Sequence, residues 1–207
     1  EKIYPDESGN VKIKLEISLK SDSNRIFLPF NYPNNTKLVK LGENLIRADI
    51  VNIDGVKYIE MVSKNKFDSS QTYSVFLDAD KYFDYEKNRS EFGNYNFSYK
   101  FINTRSKVID TYKVYFFLPA KYVVTSITET IPKVKSSNPD FPFELGRIEG
   151  LNYVMLKNHK MSIGESSFIK FRFKEEKKSM LLFTVLILIA GAYLVFFRDL
   201  IKNKNKK

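Results

Sequence analysis

Residues 11–19 alternate apolar and polar without a break. Val11, Ile13, Leu15, Ile17 and Leu19 fall on one side, and Lys12, Lys14, Glu16 and Ser18 on the other. A two-residue period predicts a β-strand with one face in a core and one in water. Ser8-Gly9-Asn10 before it and residues 21–24 after it are turn signals. The same period marks strands over residues 26–30, 38–41, 49–53, 56–62 and 72–77. Pro29 cannot donate to a ladder, so the strand at 26–30 lies at a sheet edge or ends there. Asp54-Gly55 supplies the positive φ values of a two-residue hairpin turn between 49–53 and 56–62. Alternation returns at residues 95–101, 111–118, 122–128, 151–156 and 167–173. Residues 78–94 are charged and aromatic with no clean period, and they read as a linker.

The two halves resemble one another. Ile53-Asp-Gly-Val-Lys-Tyr-Ile59 matches Ile148-Glu-Gly-Leu-Asn-Tyr-Val154 at an offset of 95. Phe27-Leu-Pro29 recurs as Phe117-Leu-Pro119 at an offset of 90, and the alternating openers differ by 84. Insertions would make the offset drift in this way, and an internal duplication follows. The expected fold is mainly β. Two tandem antiparallel β-sandwich, Ig-like modules at 1–78 and 95–178 flank the linker at 79–94, each near the ~100 residues usual for such a domain.

The last apolar run has a different period. Residues 180–197 carry no charge and no polar stripe. As a helix they would rise roughly 27 Å, close to the ~30 Å hydrocarbon core of a bilayer. The reading is a transmembrane helix over 179–198. Met180, Leu181, Leu182, Phe183, Ile187, Ile189, Gly191, Tyr193, Phe196 and Phe197 are its membrane-spanning residues, and the lipid bilayer is the first partner. Aromatic rings near both ends suit the two interfaces. Gly191, between Ala190 and Ala192, makes a small-residue patch that helices in a bilayer can share. A basic tail follows at 199–207: Lys202, Lys204, Lys206 and Lys207, with Arg198 at its border. Cations after the span place the tail in the cytoplasm and the N-terminal body outside the cell membrane, a single-pass arrangement. The chain starts at Glu1, and a removed signal peptide would account for that.

Composition narrows the chemistry. The 207 residues carry a net charge of +10, and the tail from Arg198 contributes a large share of it. The remainder interleaves both signs, unlike the concentrated basic stripe of a nucleic-acid binder, so no nucleic acid is expected. No cysteine is present, which removes disulfides, thiolate catalysis and Cys-ligated metals. Aromatic content is 15%, all of it Phe and Tyr, which suits strands.

Candidate chemistry is thin. His159 is the single histidine, with no nearby acids spaced for a triad, and it reads as a solvated loop residue. Asp78, Asp80, Asp84 and Glu86 suggest a calcium loop, but Phe83 and Arg89 stand where an EF-hand needs Gly and Glu. Tyr82, Phe83, Tyr85 and Phe92 could stack on sugars, and capping the junction between the halves is the preferred reading. No phosphate-cradling loop occurs. No cofactor, metal or catalytic residue is assigned, and the protein is read as not an enzyme.

Phe27-Leu-Pro29, Phe117-Leu-Pro119 and the run at 180–197 together resemble a loose group of prokaryotic, especially archaeal, membrane-anchored β-sandwich surface proteins. That resemblance implies no activity. The expected function is a binding or accessory subunit of a membrane or envelope complex, with a protein partner. A glycan-binding module or an envelope-glycan hydrolase is the alternative. A row of Tyr and Phe on one sheet would favour the first, and two facing carboxyl groups in a cleft the second.

Overall fold

The computed structural model describes residues 1–90, 93–104, 107–133, 142–176 and 180–204. Its strands are β1 (Lys2–Pro5), β2 (Val11–Ile17), β3 (Arg25–Pro29), β4 (Thr36–Leu41), β5 (Leu45–Ile53), β6 (Val56–Ser63) and β7 (Tyr73–Ala79) in the first half. The second half holds β8 (Asn94–Ile102), β9 (Ile109–Leu118), β10 (Tyr122–Ile131), β11 (Phe143–Ile148), β12 (Leu151–Met161) and β13 (Ser166–Glu175). The mainly β expectation is met. Two strands lack a sequence signal: β1 is too short to display a period, and in β11 exposed positions outnumber buried ones.

The strands form three sheets. One has seven strands in the order β11-β12-β9-β1-β2-β7-β4, and the others run β10-β13-β8 and β3-β6-β5. Pairings in the first half recur in the second, six strands later. β2 pairs β7 and β4 pairs β7, as β8 pairs β13 and β10 pairs β13. β3 pairs β6 and β5 pairs β6, as β9 pairs β12 and β11 pairs β12. All eight pairings are antiparallel. The two matched turns are also alike. Asp54 and Gly55 have φ of 52° and 81°, and Glu149 and Gly150 have 51° and 83°. Positive φ at both central positions is the tight-turn geometry that follows the twist of flanking strands.

The expectation of two separately closed modules needs correction. Glu1–Glu175 is one compact unit. β1 lies between β2 of the first half and β9 of the second, antiparallel to one and parallel to the other. It thereby covers two edges that separate modules would leave open. A single core runs through both halves, with Ile3, Ile13, Leu28, Ile59, Val114, Phe116, Leu156 and Phe171 among its buried members. The expected linker also joins this core. Phe83 is buried against Phe97 and Phe173, and Tyr85 stacks on Tyr122 at 5.6 Å. Phe92 lies outside the described residues.

The remaining unit, Glu176–Lys207, contains α1 (Met180–Lys204), a helix of 25 residues. Among the described residues, no helix is long and apolar enough to cross a membrane. The expected span over 179–198 is therefore not met by them, because the side chains described within the uncharged run are those of 184–195 and Phe197 only. The helix also continues past Arg198, where the sequence reading began a separate tail.

Candidate functional site

Strand alternation gives the seven-stranded sheet an inner face, which joins the core, and an outer face. On the outer face β1 presents Lys2 and Tyr4, β9 presents Lys113, Tyr115 and Phe117, and β12 presents Tyr153, Met155 and Lys157. The aromatic members pack on one another. Tyr4 stacks on Phe117 with ring centroids 4.6 Å apart and planes 5° apart. Tyr153 tilts against Tyr115 at 5.6 Å and Phe117 at 6.0 Å. Phe117, Tyr153 and Met155 form a cluster distinct from the main core, flanked by Tyr4, Tyr115 and Leu151. These residues come from β1, β9 and β12; Phe117, Tyr153 and Met155 are buried, and Tyr4 and Tyr115 are half-buried at the surface.

Gly146 on β11 makes room for this arrangement. A Cβ there would meet the Tyr153 ring at 2.5–2.7 Å. With no side chain in the way, the Tyr153 hydroxyl crosses β11 and donates to Glu144 Oε1 at 2.6 Å. That hydrogen bond, with some burial, raises the Tyr153 hydroxyl above its ordinary pKa.

The same face is rich in lysine. Lys2 and Lys14 both bind Glu16, at 3.0 and 2.6 Å. Lys14 and Lys40 each lie 5.6 Å from the Phe76 ring. Lys113 stands directly opposite Lys157 in the β9–β12 register. Asp78 is the register neighbour of both Lys12 and Lys37. Among the described residues, none of Lys12, Lys37, Lys40, Lys113 and Lys157 has a carboxylate within 4.0 Å. Like charges directly opposite on a sheet cost stability. This face therefore holds uncompensated positive charge beside an aromatic cluster.

A cavity of about 440 Å³ opens where β1 begins, between residues 15–19 after the start of β2 and residues 108–113 of β9. Glu1 sits on its inner side. The Glu1 carboxylate accepts hydrogen bonds from Tyr32 at 2.7 Å, Tyr99 at 2.9 Å and Tyr112 at 2.7 Å. All three hydroxyls are held well above their ordinary pKa, first by burial and then by the negative charge of Glu1. They stay protonated and act as donors. Glu16 and Asp110 also line the cavity.

A buried carboxylate lies on the β3-β6-β5 sheet. Glu60 is 2% exposed and is reached by Arg25 and Arg47, the latter at 3.1 Å. Among the described residues, no group of three or more His, Asp or Glu is placed to hold a metal ion. Asp84 instead caps a turn, its Oδ1 accepting from the Lys87 N–H at 3.0 Å. His159 is on β12 rather than in a loop, exposed, with Nδ1 3.3 Å from the Thr111 hydroxyl.

No protein-family profile matches this chain, and no curated protein is similar to it. The candidate surfaces therefore stand on geometry alone.

The sequence-assigned residues of the apolar run fall on α1. Ile187, Ile189, Tyr193 and Phe197 are exposed on it, and the Tyr193 and Phe197 rings lie 5.0 Å apart. A Cβ at Gly191 would meet nothing within 4 Å. Side chains of Met180, Leu181, Leu182, Phe183, Phe196, Lys202 and Lys204 fall outside the described residues, as do Lys206 and Lys207 entirely. The outer-face aromatics escaped sequence reading. Tyr4 sits in a strand with no visible period, and Tyr115, Phe117 and Tyr153 fall within the strands at 111–118 and 151–156 with no face assigned to them. Their odd-numbered parity against Val114, Phe116 and Val154 was the available signal.

Proposed function

We propose that this chain is a membrane-anchored, extracytoplasmic binding protein that serves as an accessory subunit of a membrane or envelope complex. Its binding surface is the outer face of the seven-stranded sheet. The observation that supports this is the juxtaposition of the Tyr4–Phe117–Tyr153 cluster with lysines that lack carboxylate partners. A partner with negative charge would relieve the Lys113–Lys157 repulsion, and the half-buried rings of Tyr4 and Tyr115, held by buried Phe117 and Tyr153 beneath, would add contact area. The anchor rests on the sequence: residues 180–197 carry no charge, and cations follow them.

Affinity purification of the native protein from its own membranes tests the accessory role. A stoichiometric partner, lost in a Lys113→Glu/Lys157→Glu double variant, is the expected result. A lone monomer with no companion would overturn it. Retention in the membrane pellet after alkaline carbonate washing tests the anchor, and release into the supernatant would refute it.

A glycan ligand is the second reading. Half-buried Tyr4 and Tyr115 on one sheet face favour it, since aromatic faces stack on sugar rings. A hydrolase would need two facing carboxyl groups free to act. Glu1, Glu16 and Asp110 line one cavity, but three phenols hold Glu1 and two lysines hold Glu16, which leaves Asp110 without a second free carboxyl facing it among the described residues. Binding is accordingly the reading we prefer.

A further inference from the structure

The recurring strand pairings relate β3 to β9 residue by residue. Pro29 faces Tyr58 across β3–β6, and Phe117 faces Tyr153 across β9–β12. That equivalence sets an offset of 88, so Arg25 corresponds to Lys113 and Phe27 to Tyr115, and the sequence match of Phe27-Leu-Pro29 to Phe117-Leu-Pro119 is two residues out of the structural register. Burial agrees. From Arg25 to Pro29 the side chains run exposed, buried, half-buried, buried, buried, and from Lys113 to Phe117 they run the same way. Side-chain character agrees too: Arg with Lys, Ile with Val, Phe with Tyr.

On β9 this segment receives a strand. The Glu1 nitrogen donates to Lys113 O at 2.8 Å, and Tyr115 N donates to Glu1 O at 2.9 Å. β1 runs on from there, parallel to β9. On β3 the matching groups face outward. Asn24 O accepts from Ser63 N at 2.9 Å and Phe30 N donates to Lys57 O at 3.2 Å, so even-numbered positions face β6. By strand alternation the Arg25 C=O and the Phe27 N–H point to the opposite edge. Among the described residues no strand pairs with β3 on that side.

Beside this edge a groove of about 360 Å³ lies over the face of the β3-β6-β5 sheet that carries Arg25, Phe27, Tyr58 and Ile53, and Thr104 and Lys107 also line it. Among the described residues its charged lining groups are Lys107 and Arg25, the latter paired with Glu60, and no carboxylate lines it. We propose that the β3 edge docks an extended acidic segment of a partner protein, as a strand parallel to β3 held by the Arg25 C=O and the Phe27 N–H. β1 on β9 is the internal precedent for the geometry. Arg25 is already paired with Glu60, so Lys107, which has no carboxylate within 4.0 Å among the described residues, sets the preference for acidic residues, and main-chain bonds with side-chain pockets are how exposed edges recognise peptides. This deepens the partner-binding reading above by naming a second contact and its chemistry.

The test uses the full chain in detergent micelles, panned against random seven-residue peptides displayed on phage. An enriched sequence is then synthesised with an N-terminal Trp, whose fluorescence is unobscured because the chain has no Trp. The expected consensus is extended and acidic. Bound peptide should slow hydrogen exchange at the Phe27 amide at least tenfold. Phe27→Leu keeps the amide and should bind within threefold of the parent. Phe27→Pro removes the edge-facing donor in addition to the ring that Phe27→Leu also removes, at a position where strands tolerate proline, and should weaken binding at least tenfold. Circular dichroism of both variants shows whether the sheet is retained.

No enriched peptide, or equal binding by Phe27→Pro and Phe27→Leu, overturns the proposal. So does a Phe27 amide already protected in a dimer without peptide, which would make a second copy the occupant. Absence of a co-purifying partner would refute the accessory role while leaving the comparison of the two Phe27 variants as the separate test of this edge.

Discussion

Ile3→Ala tests whether β1 joins the two halves into one cooperative unit. Ile3 is 1% exposed, lies opposite Ile13 on β2 and Phe116 on β9, and belongs to the core shared by both halves. Truncating a buried Ile to Ala removes apolar contacts and leaves a cavity, at about 2–5 kcal/mol. A mid-range loss of about 3 kcal/mol lowers the melting temperature of a domain of this size by roughly 6–12 °C. Ile53→Ala is the control. Ile53 is 41% exposed at the β5–β6 turn, and its loss should stay within about 0.5 kcal/mol. The assay is thermal and urea unfolding of the full chain in micelles, followed by near-ultraviolet circular dichroism of the tyrosines. One transition, shifted as a whole, is expected. Two transitions with one unmoved would refute the joint unit, because separate modules would confine the damage to one. A shift no larger than that of the control would refute the role of Ile3.

Three further outcomes follow from the geometry. Gly146→Ala should displace the Tyr153 ring and break its bond to Glu144, costing about 1–3 kcal/mol; unchanged stability together with an unmoved Tyr153 side-chain resonance would contradict it. Tyr32, Tyr99 and Tyr112 bind their protons more tightly folded than unfolded, so stability should fall as pH rises above about 10, where the unfolded phenols ionise first. Absorbance near 295 nm should show these tyrosines titrating only together with unfolding, and their titration in the folded chain would refute the burial argument. Burial acts to raise the Glu16 carboxyl, but hydrogen bonds from Lys14 and Lys2 outweigh it and hold the pKa below 4.5. The stability this contributes is present above the unfolded pKa and is lost as pH falls through the folded one. Glu16→Gln should therefore flatten the acid limb of the stability profile below about pH 4.5, and an unchanged limb would remove Glu16 from the account.

Local chemistry was legible in the sequence because it depends on near neighbours. The alternation at 11–17 is β2, Asp54-Gly55 is a tight hairpin turn, and Pro29 ends an edge strand, as a residue without an amide hydrogen must. The matched segments around Tyr58 and Tyr153 proved to be matched hairpins, because a two-residue turn fixes the register of the strands beside it. The uncharged run at 180–197 is likewise a property of composition alone. Tertiary structure decided what those elements do together. β1 is four residues long and carries no periodic signal, yet it occupies two edges at once. Its place depends on β9, more than a hundred residues away, and no local pattern encodes such a pairing. The same holds for the Glu1 carboxylate among three distant tyrosines, for Lys113 facing Lys157, and for the open β3 edge. Each arises where strands from far apart in the chain meet, and only the fold brings them within reach of one another.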